Sequence, residues 1–472
     1  MPPSIYWYDF ETTGIDPIVD RAIQFAGVRT DLDLNVIDEP QNIFCRPGDD
    51  VIPAPEAMAV TGILMSELQQ RGHSEAEFCQ HIIEQFTVPQ TCVAGYNSIR
   101  FDDEFTRQML YRNFYEPYAR EWQGGNSRWD VIDMFRMAYA LRPEGLEWPK
   151  NEHGVPSFRL ELLTEANDIG HESAHDAVSD VLATIELSKL LKSRQPKLFS
   201  YLFDLRAKKQ VVQQLYPLGK SALIHVSSMY PAKRGCLSIV VPLCSHPTNT
   251  NGIICYDLSE SPDALIGATS DDISRLVFTA AAELPAGDKR IPLKTIHINR
   301  CPAIAPIATL SDERARQLGL DKEQCIAHLQ QLQRASGIVE KIVDAYRANQ
   351  YPEVTDPDFM LYSGEFFTSS DVTTMAELHN SKPERLADFE GQFQDHRLDE
   401  MLFRYRARNY PEVLSESESA HWHEYKLSRW QGGSLVSDAL SRTKNMIKEK
   451  GDKVYLSELM RYLQSIQDGI EH

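Results

Sequence analysis

The chain has 472 residues, enough for about three domains at roughly 150 residues each. Its apolar and aromatic content is that of a globular chain, and its formal charge of −20 opposes any partner that binds polyanions through net charge alone. No run of about 20 apolar residues occurs, which excludes a helical membrane span; no leader precedes the first strand, and the eight scattered cysteines lack a CxxC pair, so a cytoplasmic protein with reduced thiols at Cys45, Cys92, Cys244 and Cys255 is expected.

Ser4 to Tyr8 is aromatic and apolar and predicts a buried strand near 4–10. It runs into DFETTG at Asp9 to Gly14. Residues two apart on a strand point the same way, about 7 Å along the chain, so Asp9 and Glu11 face one point. Two acids on one face repel unless a cation lies between them, and a hard divalent ion suits them. The plain alternative is a solvated acidic turn. Further strands are expected near 22–29, 34–37 and 41–45, with a helix near 75–86.

Thr91 to Ala94 reads as another strand, Asn97 as the turn after it, and Asp102 as the start of a helix over 102–113 with Phe105, Met109 and Leu110 on its apolar side. A first-turn acid can merely favour the helix dipole, a reading that fits Asp103 better than Asp102. Helices follow near 128–140, 159–166 and 174–192. At the start of the last, Ser173 and Asp176 have capping-box spacing, His175 lies in the first turn, and Asp180 follows five residues on.

Residues 196–348 begin helical and then carry strand-length apolar runs at Leu223 to Ser227, Leu237 to Leu243, Ile253 to Leu258 and Leu293 to Asn299, the pattern of a small barrel. Asp312 to Asn349 is helical again. Pro352 and Pro357 mark a linker, and 353–472 reads as helices. Charge is uneven along the chain. Residues 1–100 hold 5 basic and 15 acidic side chains, and 201–300 hold 11 and 8, so the middle is the better surface for tracking a phosphate backbone.

Asp-x-Glu, an Asp about ninety residues later and His-x4-Asp about eighty beyond that resemble the DEDD superfamily of 3′–5′ exonucleases, in the variant whose third motif carries a histidine. The TGI of Thr61 to Ile63 is similar to the superfamily loop that touches the terminal nucleotide. The chemistry needs these residue types. Two Mg²⁺ or Mn²⁺ ions about 3.5–4 Å apart can activate water and stabilise the leaving oxygen of an in-line displacement. Asp9, Glu11, Asp102 and Asp180 fit as ligands. His175, with a pKa near working pH, fits as the base that takes the proton of the attacking water.

FDDEFTRQMLYRNFYEPY, NSRWD, LRPEG, PSFRLE, HVSSM, IHINRCP and FRYRARNYP narrow the resemblance to bacterial exonuclease I, over the full length and most densely from Gly95 to Asp180. It implies an α/β chain: an RNase H-like exonuclease domain over 1–195, an SH3-like β-barrel domain over 196–348 and an α-helical C-terminal domain over 353–472, together a C-shaped clamp around single-stranded DNA. The implied activity is processive 3′ to 5′ removal of 5′-mononucleotides. Implied substrate contacts are Glu11, Thr61, Arg107, Tyr118, Trp122, Arg136, Arg159, Asn251, Lys294, Ile296, Ile298 and Asn299. Lys294, Ile296 and Ile298 share a face if they lie on one strand.

Core packing is the better reading for Tyr115 and Trp129. Arg404, Arg406 and Arg408 serve ion pairs as readily as DNA. The chain departs from the family at Thr13, where relatives usually carry an aromatic, and it matches poorly over 259–291. The resemblance further implies a monomer that docks the acidic tail of single-stranded DNA-binding protein, with Arg142 in the basic pocket. Competing readings are an RNA-trimming or proofreading 3′–5′ exonuclease, and a catalytically silent single-strand-binding clamp.

Overall fold

The computed structural model describes residues 2–170, 176–349 and 353–471. Ser173 and His175 lie outside the described residues. Two compact units result: Met1–Ser127 with Glu172–Leu182 and Glu353–His472, and Arg128–His171 with Ala183–Pro352. Among the described residues no helix is long and apolar enough to cross a membrane.

The first unit is built on strands β1 (Ser4–Thr12), β2 (Ala22–Thr30), β3 (Gln41–Phe44) and β4 (Thr91–Gly95), in the order β3-β2-β1-β4. β1 pairs antiparallel with β2, Asp9 opposite Ala26 and Glu11 opposite Gln24, and parallel with β4, Ser4 opposite Thr91 through Trp7 opposite Ala94. The expected strand at 34–37 is reduced to one bridge between Thr30 and Val36, because Leu34 turns the chain with φ 70°. Tyr6, Tyr8, Phe10, Phe25, Phe78 and Phe86 form an aromatic core, with Tyr8 and Phe86 edge to face at 4.9 Å. The expected helix at 75–86 spans those residues, opened by a capping box between Ser74 and Glu77.

Gly95 ends β4 where a Cβ would stand 2.8 Å from the Tyr8 carbonyl, so only glycine lets the chain cross beside the acidic end of β1. The Asp102–Arg112 helix follows. Two helices that the apolar pattern did not suggest, Pro55–Thr61 and Met65–Arg71, flank the TGI loop.

Buried charge ties the C-terminal helices to one another and, through Asp50, to the loop after β3. Arg408 bonds Asp358 at 2.5 Å and Asp50 at 3.1 Å, Arg404 bonds Asp356 at 2.5 Å, and Arg406 bonds Glu418 at 2.6 Å. Burial alone would raise the Asp50 carboxyl, but Arg408, Arg21 and Arg429 outweigh it and pull the group down to about 2. The three arginines of YRARN are therefore structural ion pairs here.

The second unit holds strands β6 (Leu223–Val226), β7 (Leu237–Ser245), β8 (Gly252–Asp257), β9 (Leu293–His297) and β10 (Ala303–Pro306), antiparallel in the order β10-β6-β7-β8-β9. At the boundary between the units, Ser127–Asp130 is a strand (β5), and the helix expected from 128 begins at Ile132. Trp129 is 2% exposed and packs edge-on against Phe199 and Phe203, which is the expected core role. The poorly matching stretch 259–291 contains the helices Asp263–Gly267 and Ser270–Phe278. Cys45, Cys92, Cys244 and Cys255 are free and buried.

Candidate active site and nucleic-acid contacts

Asp9 and Glu11 alternate with Phe10 on β1, so they leave one face of the strand while Phe10 enters the core. The Ala177–Arg194 helix brings Asp180 to the same point. One carboxylate oxygen from each of the three lies within 4.8 Å of the others. Asp102, on the helix after β4, stands outside that group of three but near enough for its charge to raise Asp9. It is 3% exposed, and its Oδ1 accepts the Phe10 N–H at 3.1 Å. Pairing of β1 with β4 stops at Trp7, and beyond it Asp102 meets the β1 backbone instead. Asp102 is thus turned to the acidic strand rather than spent as a helix cap. Asp103 is the structural one: it takes the Tyr8 hydroxyl at 2.9 Å and Arg120 at 2.5 Å.

Such crowding shows in the acidities. Burial, then the charges of Asp102 and Asp180, hold the Asp9 carboxyl well above its usual range. Burial, then Asp9, Asp180 and Asp176, push Glu11 up to about 9. Close carboxylates that cannot all ionise are a donor set suited to a hard divalent cation. Thr13, by contrast, is fully buried. Its hydroxyl donates to Asp20 and accepts the Arg21 N–H at 2.9 Å, so its side chain braces the turn after β1.

The remaining predicted contacts are placed as follows. Thr61 ends the Pro55–Thr61 helix, and its hydroxyl accepts the Ile63 N–H at 3.3 Å. Arg107 is buried. Glu121 takes its Nε at 2.8 Å and its Nη2 at 3.1 Å, Glu104 and the Tyr362 hydroxyl meet its Nη1 at 3.1 Å, and its guanidinium lies 5.3 Å from the Tyr118 ring centre. A phosphate would have to replace one of those carboxylates. Tyr118 is half-buried, whereas Trp122 is 65% exposed. Tyr115 stacks on His379 at 4.0 Å, within the packing. Phe366, which no sequence pattern singled out, is 82% exposed and lies edge-on to Tyr118 at 5.9 Å. Its signal is the Phe366–Phe367 pair in a polar linker.

In the second unit Arg136 is paired with Asp133 at 2.6 Å and Arg159 with Glu161. Asn251 accepts the Lys208 ammonium at 2.7 Å, and the Asn299 carbonyl accepts Arg128 at 2.9 Å. The Lys294 ammonium sits 3.5 Å from the Tyr230 ring centre. Ile296 and Ile298 are 1% and 5% exposed, so their side chains fill the barrel core. The shared-face expectation holds for Lys294 and Ile296, two apart on β9, and not for Ile298, which lies just beyond the strand's end at His297.

Paired acids on a central strand, a third on the helix after a parallel neighbour and a fourth on a later helix keep the order expected of a DEDD-type exonuclease. The protein-family model described as Exonuclease matches residues 6–188, Exonuclease I SH3-like domain matches 206–348, and Exonuclease I C-terminal domain matches 355–466. The chain is 42% identical to exodeoxyribonuclease I of Haemophilus influenzae, over 96% of each protein, and 44% identical to that of Escherichia coli, over 89% of this chain and 88% of the relative. E. coli exonuclease I in complex with a dA16 oligonucleotide superposes with a TM-score of 0.94 at 41% identity, covering 98% of this chain and 100% of that one. Its zinc-bound form with single-stranded DNA gives 0.94 at 40%, covering all of both chains. A structure of SSB/exonuclease I with an inhibitor gives 0.90 at 40%, covering 99% of this chain and 100% of that one. The chain belongs to the exonuclease I family.

Proposed function

We propose that this enzyme hydrolyses single-stranded DNA processively from its 3′ end and releases 5′-mononucleotides. The observation that carries the reading is the meeting of Asp9, Glu11 and Asp180 within 4.8 Å, with Asp102 docked on the Phe10 N–H. These four residues would hold two Mg²⁺ ions, for which Mn²⁺ would substitute, and such ions would supply Lewis acidity to the phosphodiester. Asp102 also accepts the Phe10 N–H, between Asp9 and Glu11 on β1. His175 takes the proton from the attacking water. Trp122 and Tyr118 offer rings to the bases, and Thr61 meets the terminal nucleotide. Arg107, Arg136, Arg159, Asn251, Lys294 and Asn299 serve the strand, and Ile296 and Ile298 contribute through their backbone.

The match to three family models supports domains near 1–195, 196–348 and 353–472. The partner reading is the acidic tail of single-stranded DNA-binding protein, with exposed Arg142 in its pocket. The enzyme acts as a monomer in the cytoplasm. The test compares 3′-labelled and 5′-labelled oligomers, single- and double-stranded, beside the RNA equivalent. Ladders from single-stranded DNA alone, in step with added Mg²⁺, are expected. Equal trimming of RNA would replace this reading with the RNA-trimming one, and DNA binding without product would replace it with the silent clamp.

A further inference from the structure

The TGI loop is held between two short helices by the far end of the chain. The Pro55–Thr61 helix is tied at its start to the turn after β1, where the Ala54 N–H donates to the Thr13 carbonyl at 2.7 Å. It ends at Gly62, whose φ of 66° suits glycine. The Met65–Arg71 helix begins behind Leu64, which has no side-chain acceptor for the exposed N–H groups of a first turn. Glu458 supplies one from 392 positions away: its Oε2 accepts the Ser66 N–H and its Oε1 the Ser66 hydroxyl, both at 3.0 Å.

The helix that carries Glu458, Val454–Glu471, also lays Leu459 and Leu463 against Met58, Ile63, Met65 and Leu68, with Ala439 of the Ser434–Lys450 helix completing the cluster. Arg442 of that second helix bonds Glu56 at 2.8 Å. Both sides of the loop are therefore fixed by the C-terminal pair of helices. The apolar contacts set how close the pair lies. The carboxylate sets the direction of the Ser66 N–H, and with it the path of the chain from Thr61 to Leu64. An apolar residue at 458 would keep the packing and lose that direction.

We propose that Glu458 is a positioning residue for 3′-end recognition, capping the Met65–Arg71 helix from outside and so holding Thr61, Gly62 and Ile63 in the shape that receives the terminal nucleotide. This rests on the exonuclease reading above. The test measures linear single-stranded DNA digestion by Glu458→Ala and Glu458→Gln, with circular single-stranded DNA, which has no end, as competitor. In Glu458→Ala, KM for the linear strand should rise about fivefold, the size of one lost cap, with kcat within twofold and the inhibition constant of the circle unchanged. Glu458→Gln keeps an Oε1 acceptor and should return KM to within twofold of the parent. An unmoved KM overturns the proposal, and so does a parallel rise in KM and in the inhibition constant, since that marks a general loss of DNA binding. If Glu458→Ala does not fold, Ser66→Ala removes only the hydroxyl half. It should raise KM about threefold at unchanged Tm, and a KM within twofold of the parent again overturns the proposal. A parent protein that leaves linear DNA intact overturns the exonuclease reading and this inference with it.

Discussion

Metal binding at the acidic cluster should release protons, and the geometry sets how many. Two unit charges no more than 4.8 Å apart repel by at least ~3.5 kcal/mol at an effective dielectric of ~20, or ~2.5 pH units. Glu11 is raised first by burial and then by Asp9, Asp180 and Asp176, reaching about 9. Asp9 is driven the same way by burial, Asp102 and Asp180. At pH 7 the metal-free protein therefore holds a proton at Glu11, and a divalent ion must expel it. Apparent Mg²⁺ affinity should climb with pH toward about 9, roughly tenfold per unit for each proton released. Titration calorimetry at pH 7 in two buffers of contrasting protonation enthalpy reads that number directly. Asp180→Asn, with one charge fewer, should release less. Heats that do not depend on the buffer, or an affinity that is flat from pH 6 to 8, would refute the reasoning. Stability has the corresponding sign. Carboxyls that bind protons more tightly when folded favour the metal-free fold at low pH, and that contribution is lost as pH rises from about 4.5 toward 9.

Replacing His175 by Ala should cut the hydrolysis rate by ~10²–10⁴ while leaving DNA affinity nearly unchanged, as single-turnover kinetics beside a binding titration would show. Trp122→Ala should weaken single-stranded DNA binding by ~1–3 kcal/mol with little change in Tm, because the ring is 65% exposed; an anisotropy titration beside a thermal melt checks both. Arg408→Ala should cost ~3–5 kcal/mol of stability by leaving Asp50 and Asp358 buried with a partner missing, read from denaturant midpoints. Both carboxyls are depressed in the fold against the burial that would raise them, Asp50 by Arg408, Arg21 and Arg429, and Asp358 by Arg408 and Arg404. Their stabilisation is therefore present above about pH 4 and is lost as pH falls toward 2, which an acid titration followed by circular dichroism would trace.

The site was legible where chemistry and periodicity agree. Period-two alternation puts Asp9 and Glu11 on one face, and the structure keeps them there. Asp102 was separable from Asp103 only in part, because both occupy a first turn. What decides between them is a 92-residue contact to Phe10 that no local pattern contains. Strands with continuous apolar runs, such as Thr91–Gly95, were clear, as was the helix opened by Ser74. Arg128 to Asp130 precede a strong helical stripe and so read as its start; their place in a strand depends on sheet neighbours distant in sequence. The helices around the TGI loop are seven residues each, too short for periodicity to register, and one is capped from residue 458. Arg107 shows the limit of carrying a role over by motif: its neighbours Glu104 and Glu121 are visible in the sequence, but that they surround it is not.

One unit of the molecule is assembled from the first 127 residues and the last 120 or so, with a second unit threaded between them. During synthesis the early strands emerge while about 225 residues still separate them from the segment beginning at Glu353, a wait of roughly 10–45 s at ordinary translation rates. Throughout that interval Asp50 lacks Arg408 and Arg429, and Ser66 lacks Glu458. A chain that has passed Asp180 but not Glu353 thus carries its acidic residues without the C-terminal partners of Asp50 and Ser66.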